Sequence, residues 1–145
     1  MNKEKENYPD WLVPLEVGKK LKEIGFDEPC HFYYQNDYSE YLKAGDPDKY
    51  HIISDSLTAN RKNANHNKSD IAISAPTWTD VFAWFRKKNL VGLVSYRYRD
   101  KNNKGFSFEI LDEETDIFLY KTYEQAQEAL VFKLIEIYKT KFIKV

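Results

Sequence analysis

Two runs of alternating apolar and polar residues between Val91 and Leu111 flank the polar stretch Asp100-Lys-Asn-Asn-Lys104 and Gly105. A period of two on both sides of a turn sequence is the pattern of a β-hairpin, and it constrains this chain more than any other feature. Face parity predicts the register. Val94, Tyr96 and Tyr98 share a face with Ile110, Phe108 and Phe106, which pairs Val94 with Ile110, Tyr96 with Phe108, and Tyr98 with Phe106. Leu93, Ser95, Arg97 and Arg99 then point the other way. After a second turn at residues 112–115, residues 116–120 read as a third strand of the meander.

The remaining elements fall around this hairpin. Asp10 is placed to cap a first helix, with Pro14 in its first turn and Gly25 at its left-handed end. Val17, Leu21 and Ile24 make its apolar stripe. Residues 31–35 and 50–54 are short, aromatic or β-branched runs separated by Gly45 and Pro47, and both read as strands. Residues 56–70 (SLTANRKNANHNKSD) carry four Asn and no hydrophobic period, which predicts a long loop. A brief strand is expected at residues 71–74. Thr77 is placed as the N-cap of a second helix, three residues before Asp80. Trp78, Val81, Phe82 and Phe85 share a face of that helix, and Trp84 falls at its edge or outside. Thr122 and Gln125 make a capping box for the last helix, whose Ala126, Leu130, Leu134 and Ile137 mark the buried side. The order is α-β-β-loop-α-β-β-β-α. The predicted fold is α+β, a single domain over residues 1–145, with a mostly antiparallel sheet, helices packed on one face, and residues 1–9 flexible.

Composition supports one ordered domain. In 145 residues, 42% are hydrophobic and 16% aromatic, enough to fill a core without disulfides or a structural metal. The formal net charge is −1, from 22 basic and 23 acidic side chains, so no global field draws in nucleic acid or an anionic membrane. Cys30 is the only cysteine, which suits a reducing compartment and the packing role of a small hydrophobe. No apolar stretch approaches the ~20 residues of a membrane-spanning helix, and residues 1–10 lack a secretory signal pattern. A cytoplasmic protein is expected.

Catalytic signatures are absent. There is no glycine-rich phosphate loop, no nucleophile elbow and no zinc-protease helix, and His31, His51 and His66 lack the spacing of a metal site on one element. No catalytic residue, metal or cofactor is predicted. The acids at 112, 113, 114 and 116 fall in a turn, where charges are ordinarily solvated. The charge distribution is more informative. From Arg86 to Lys104 there are seven basic residues against the single acid Asp100, and from Gly105 to Leu119 five acids and no base. Arg97 and Arg99 share a strand face and suit the grip of a phosphate or carboxylate, with Tyr96 or Trp84 available to stack. The competing reading has Arg97 in a diagonal pair with Glu109 and the tyrosines in the core. Arg61, Lys62, His66 and Lys68 in the long loop supply further donors to an anionic, nucleotide-like ligand.

The segments LKEIGFDEPC (residues 21–30), ISAPTW (73–78) with WFR (84–86), and YEQA (123–126) leading to KLIE (133–136) resemble an uncharacterised family of small bacterial and phage proteins. The resemblance covers most of the chain except residues 50–70, and it carries no site residue to transfer. It implies a context in which compact accessory proteins act as inhibitors, sponges or adaptors. The expected function is accordingly a non-enzymatic binding protein, a phage accessory or anti-defence factor that sequesters a small anionic ligand or inhibits a host protein. The alternatives are a small enzyme acting on nucleotides or nucleic acid through His51 or His66 with a neighbouring acid, and an oligomeric protein interaction module.

Overall fold

The structure, a computed structural model, describes residues 9–39, 41–54 and 65–143. The element order is α1 (Leu15–Glu23), β1 (Phe32–Asn36), β2 (Tyr50–Ser54), a 3-10 turn (His66–Lys68), β3 (Ala72–Ser74), α2 (Trp78–Lys87), β4 (Gly92–Asp100), β5 (Asn103–Ile110) and α3 (Tyr123–Phe142). Among the described residues, three helices and five antiparallel strands make the α+β class that the sequence predicts, in the expected succession. The strands divide into a three-stranded sheet, β2-β1-β3, and the β4-β5 hairpin. No helix among the described residues is long and apolar enough to cross a membrane.

The chain separates into two compact units, Met1–Asp80 and Val81–Val145. In the first unit the expected cap of α1 is displaced. The helix starts after Pro14 without a side-chain cap, because residues 11–13 are committed to extended structure. Leu12 bridges Thr77, Val13 donates its N–H to Pro76 O at 3.0 Å, and both side chains are fully buried. The Asp10 carbonyl accepts the indole N–H of Trp78 at 2.8 Å. Gly25 closes the helix at φ +88°, a conformation that costs a residue without a Cβ little. Gly18 lets the helix lie against β3, since a Cβ there would meet Ile73 Cγ2 and Ser74 O at 3.2 Å. Tyr34, Ile73 and Ala75 anchor the core of this unit, and the Tyr34 hydroxyl donates to Val13 O at 2.7 Å.

In the second unit α3 packs on the hairpin and begins with the expected capping box. Gln125 N–H donates to Thr122 Oγ1 at 3.1 Å, and Gln125 Oε1 accepts from the Thr122 N–H at 3.3 Å. Ala126, Leu130, Leu134 and Ile137 are all buried, as the periodicity requires. Gly92 permits the close approach of helix and sheet, because a Cβ there would fall 2.6 Å from Leu130 Cδ1.

Two features of the meander differ from expectation. The hairpin register is two residues tighter: Val94 faces Phe108, Tyr96 faces Phe106, and Tyr98 faces Lys104. The turn is responsible. Asp100 accepts from the Asn102 N–H at 2.8 Å and from Asn103 Nδ2 at 3.1 Å, which closes it over Lys101 and Asn102 and draws Asn103, Lys104 and Gly105 into the strand. An even slip by itself keeps side chains on their predicted faces, as it does for the paired residues before the shift between Tyr98 and Asp100. Residues 116–120 pair with β5 only at Tyr120, whose bridge to Phe106 passes over Gly105, where a Cβ would lie 2.7 Å from Tyr120 O.

Candidate functional site

The site is built on β4. The register shifts between Tyr98 and Asp100, so Arg99 is the extra residue of a β-bulge. A bulge breaks strict alternation and redirects side chains, which lets Arg97, Tyr98 and Arg99 all border one hollow. That hollow encloses about 550 Å³ and is completed by Asn103, Ile117 and Leu119. Its lining holds two guanidinium groups and no carboxylate.

The geometry holds Arg97 in place. Its Nε donates to Ser107 Oγ at 2.8 Å, and Ser107 is buried. The tighter register explains this partner: Arg97 stands opposite Gly105, so Ser107 becomes its diagonal neighbour and Glu109 moves two pairs along, opposite Leu93. The remaining guanidinium donors point to no ion pair among the described residues. Asn103 is fixed by Asp100, whose carboxyl is held below the ordinary aspartate value by the Asn103 side chain and the Asn102 N–H.

A second hollow of about 790 Å³ opens between β5 and residues 113–118, with Arg97 again on its wall. Here the charges are mixed. Glu109, Glu113, Glu114 and Asp116 face Arg97 and Lys133. Glu113 is engaged by Lys141 at 2.7 Å, and Lys133 by Glu136 at 3.3 Å.

The other predicted site residues fall elsewhere. Tyr96 lies on the opposite face of β4 and meets Phe106 edge-on at 5.1 Å, so Tyr98, 61% exposed, is the tyrosine at the hollow. Trp84 is 3% exposed, packs on Phe85 and Tyr138, and carries the Lys88 ammonium over its ring at 4.9 Å. It follows Val81 by three positions, which brings it into the buried stripe and removes it as a stacking surface.

Arg61 and Lys62 lie outside the described residues. His66 and Lys68 belong to the first unit and Arg97 and Arg99 to the second. His66 has a structural setting, stacked on Tyr33 at 4.1 Å with Nε2 3.2 Å from Cys30 O. The adjoining Asn67 ties the 3-10 turn down, donating to Phe26 O at 2.9 Å and accepting from the Ser74 N–H at 2.8 Å. Lys68 is exposed. The apolar wall of Ile117 and Leu119 escaped sequence reasoning, although the expected strand at residues 116–120 had placed that segment beside β5.

Two further histidine contacts lie elsewhere among the described residues. His51 Nε2 lies 3.3 Å from Asp37 Oδ1, but both side chains are open to solvent. His31 is 3.3 Å from Ser54 Oγ, at the end of the β1-β2 pair away from His51, which faces Gln35. Among the described residues no group of three or more His, Cys, Asp or Glu side chains is placed to hold a metal ion. Cys30 is buried, and burial is the main cause that pushes its thiol up to about 12. No family model matches this chain, and no curated protein or solved structure matches it either.

Proposed function

We propose that this chain is a non-enzymatic binding protein whose second unit captures a small anionic ligand with a flat or apolar portion, a nucleotide being the representative case. The observation that carries the reading is the hollow beside the β4 bulge, where Arg97 and Arg99 converge with Tyr98 and no carboxylate lies in the lining. Its volume of about 550 Å³ falls within the range of ordinary small-molecule sites. Two guanidinium groups are the natural partners of a phosphate or carboxylate, while Tyr98, Ile117 and Leu119 offer surface to a base or another flat group. Arg97 is already positioned by Ser107, so less side-chain freedom is lost when a ligand binds. Capture as a sponge or inhibitor is the role suggested by analogy with compact phage accessory proteins, from the resemblance to an uncharacterised family of small bacterial and phage proteins.

Thermal unfolding against a panel of mono-, di- and cyclic nucleotides tests the proposal. A ligand at about 100 times its dissociation constant stabilises the native state by about 2.7 kcal/mol, enough to raise Tm by several degrees. Arg97→Ala is expected to remove that shift, while its own unliganded Tm falls by the few degrees that loss of the hydrogen bond to buried Ser107 costs. A panel that moves Tm nowhere, or a shift retained in Arg97→Ala, overturns the reading.

A further inference from the structure

The outer edge of the hairpin is incompletely paired. Phe106 donates its N–H to Tyr120 O at 2.9 Å and accepts the Tyr120 N–H at 2.7 Å, so its backbone groups face away from β4. Groups two residues apart on a strand point the same way, so the N–H and C=O of Phe108 and of Ile110 face that same edge. The Ile110 carbonyl is used by the Glu113 N–H at 3.2 Å. Among the described residues the other three groups have no hydrogen-bond partner. The chain that could supply partners turns aside, and the space left between residues 113–118 and β5 is the hollow of about 790 Å³. Unpaired strand donors and acceptors beside an open space form a template for an added strand.

We propose that the outer edge of β5 binds an extended basic peptide by strand addition. The rim selects the charge. With Glu113 and Lys133 engaged by Lys141 and Glu136, the carboxylates of Glu109, Glu114 and Asp116 outnumber Arg97 around the hollow. A strand presents alternate side chains to opposite sides, so a peptide alternating lysine with an apolar residue sets its ammonium groups against these acids. Its apolar residues meet Ile117 and Phe118, which are 64% and 62% exposed. This inference stands on backbone pairing and acidic charge, independently of the anionic-ligand reading.

The test uses three blocked octapeptides with the intact chain: alternating Lys and Val, alternating Glu and Val, and the Lys/Val sequence N-methylated at every second residue. Fluorescence anisotropy reads binding, and amide hydrogen exchange reads the edge. The Lys/Val peptide is expected to bind and to slow exchange at Phe108 and Ile110 about tenfold, the N-methylated peptide to lose that binding, and the Glu114→Lys/Asp116→Lys variant to weaken it about tenfold with Tm unchanged. Three results overturn the proposal. They are absence of Lys/Val binding, equal binding of the Glu/Val peptide, and full protection of Phe108 and Ile110 in the free protein, which would mean that residues 116–118 close the edge themselves.

Discussion

Arg97 illustrates how one residue's role depends on its immediate neighbours. Sequence alternation places it on the face of β4 opposite Tyr96, and the register then gives it Ser107 as a partner in place of Glu109. Cys30 illustrates the opposite case, a residue whose chemistry is suppressed by its surroundings. Its native thiol value, about 12, lies above the ordinary 9.0, so the folded state holds the proton more tightly than the unfolded chain. The resulting stability increment is fully present below pH 9 and is lost as pH rises toward 12, by about 1.4 kcal/mol per unit. Chemical denaturation at pH 8, 10 and 11 is expected to show this loss in the native sequence and not in Cys30→Ala. Consistently, a thiol reagent at pH 8 should label Cys30 only at the rate of unfolding. Burial of Cys30 was legible from residue type alone. The structural use of His66 was not, because its contacts with Tyr33 and the Cys30 carbonyl join positions more than thirty residues apart.

At the scale of elements, local signals predicted best where the stabilising partner lies within a few residues. The Thr122-Gln125 capping box is the clearest instance, since donor and acceptor are three positions apart and need only the first helical turn to meet. Thr122→Ala is expected to cost about 1 kcal/mol, readable as a lower midpoint in urea with an unchanged slope. The hairpin was legible in its existence and in the faces it presents, but not in its exact pairing. That pairing depends on side-chain bonds that tighten the turn around Asp100, and on Gly105, which can lie in β5 beneath Tyr120. The start of α1 failed for a related reason. Asp10 has capping chemistry, yet the backbone that follows it is bound to residues 76 and 77.

For the molecule as a whole, a net charge of −1 provides no long-range attraction for an anion, so the proposed capture by Arg97 and Arg99 would have to act at short range. Affinity for an anionic ligand is therefore expected to fall only modestly, severalfold, as salt rises from 0.05 to 0.5 M, with the loss confined to the two guanidinium contacts. Isothermal titration across that range checks it, and a loss of a hundredfold or more would point to a broader electrostatic surface. The sequence by itself determined the α+β class, the element order, the buried stripe of α3 and the two faces of the hairpin. These follow from periodicity and capping, whose physics is local. Tertiary structure decided the register, the burial of Trp84, the bulge at Arg99, and the failure of residues 116–118 to join the sheet. Each of these depends on which distant backbone or side chain offers a partner, and a backbone group bonds to whichever partner the folded chain brings within reach. The hollows beside Arg97 and along β5 arise at that level, where an expected strand is replaced by a single bridge at Tyr120.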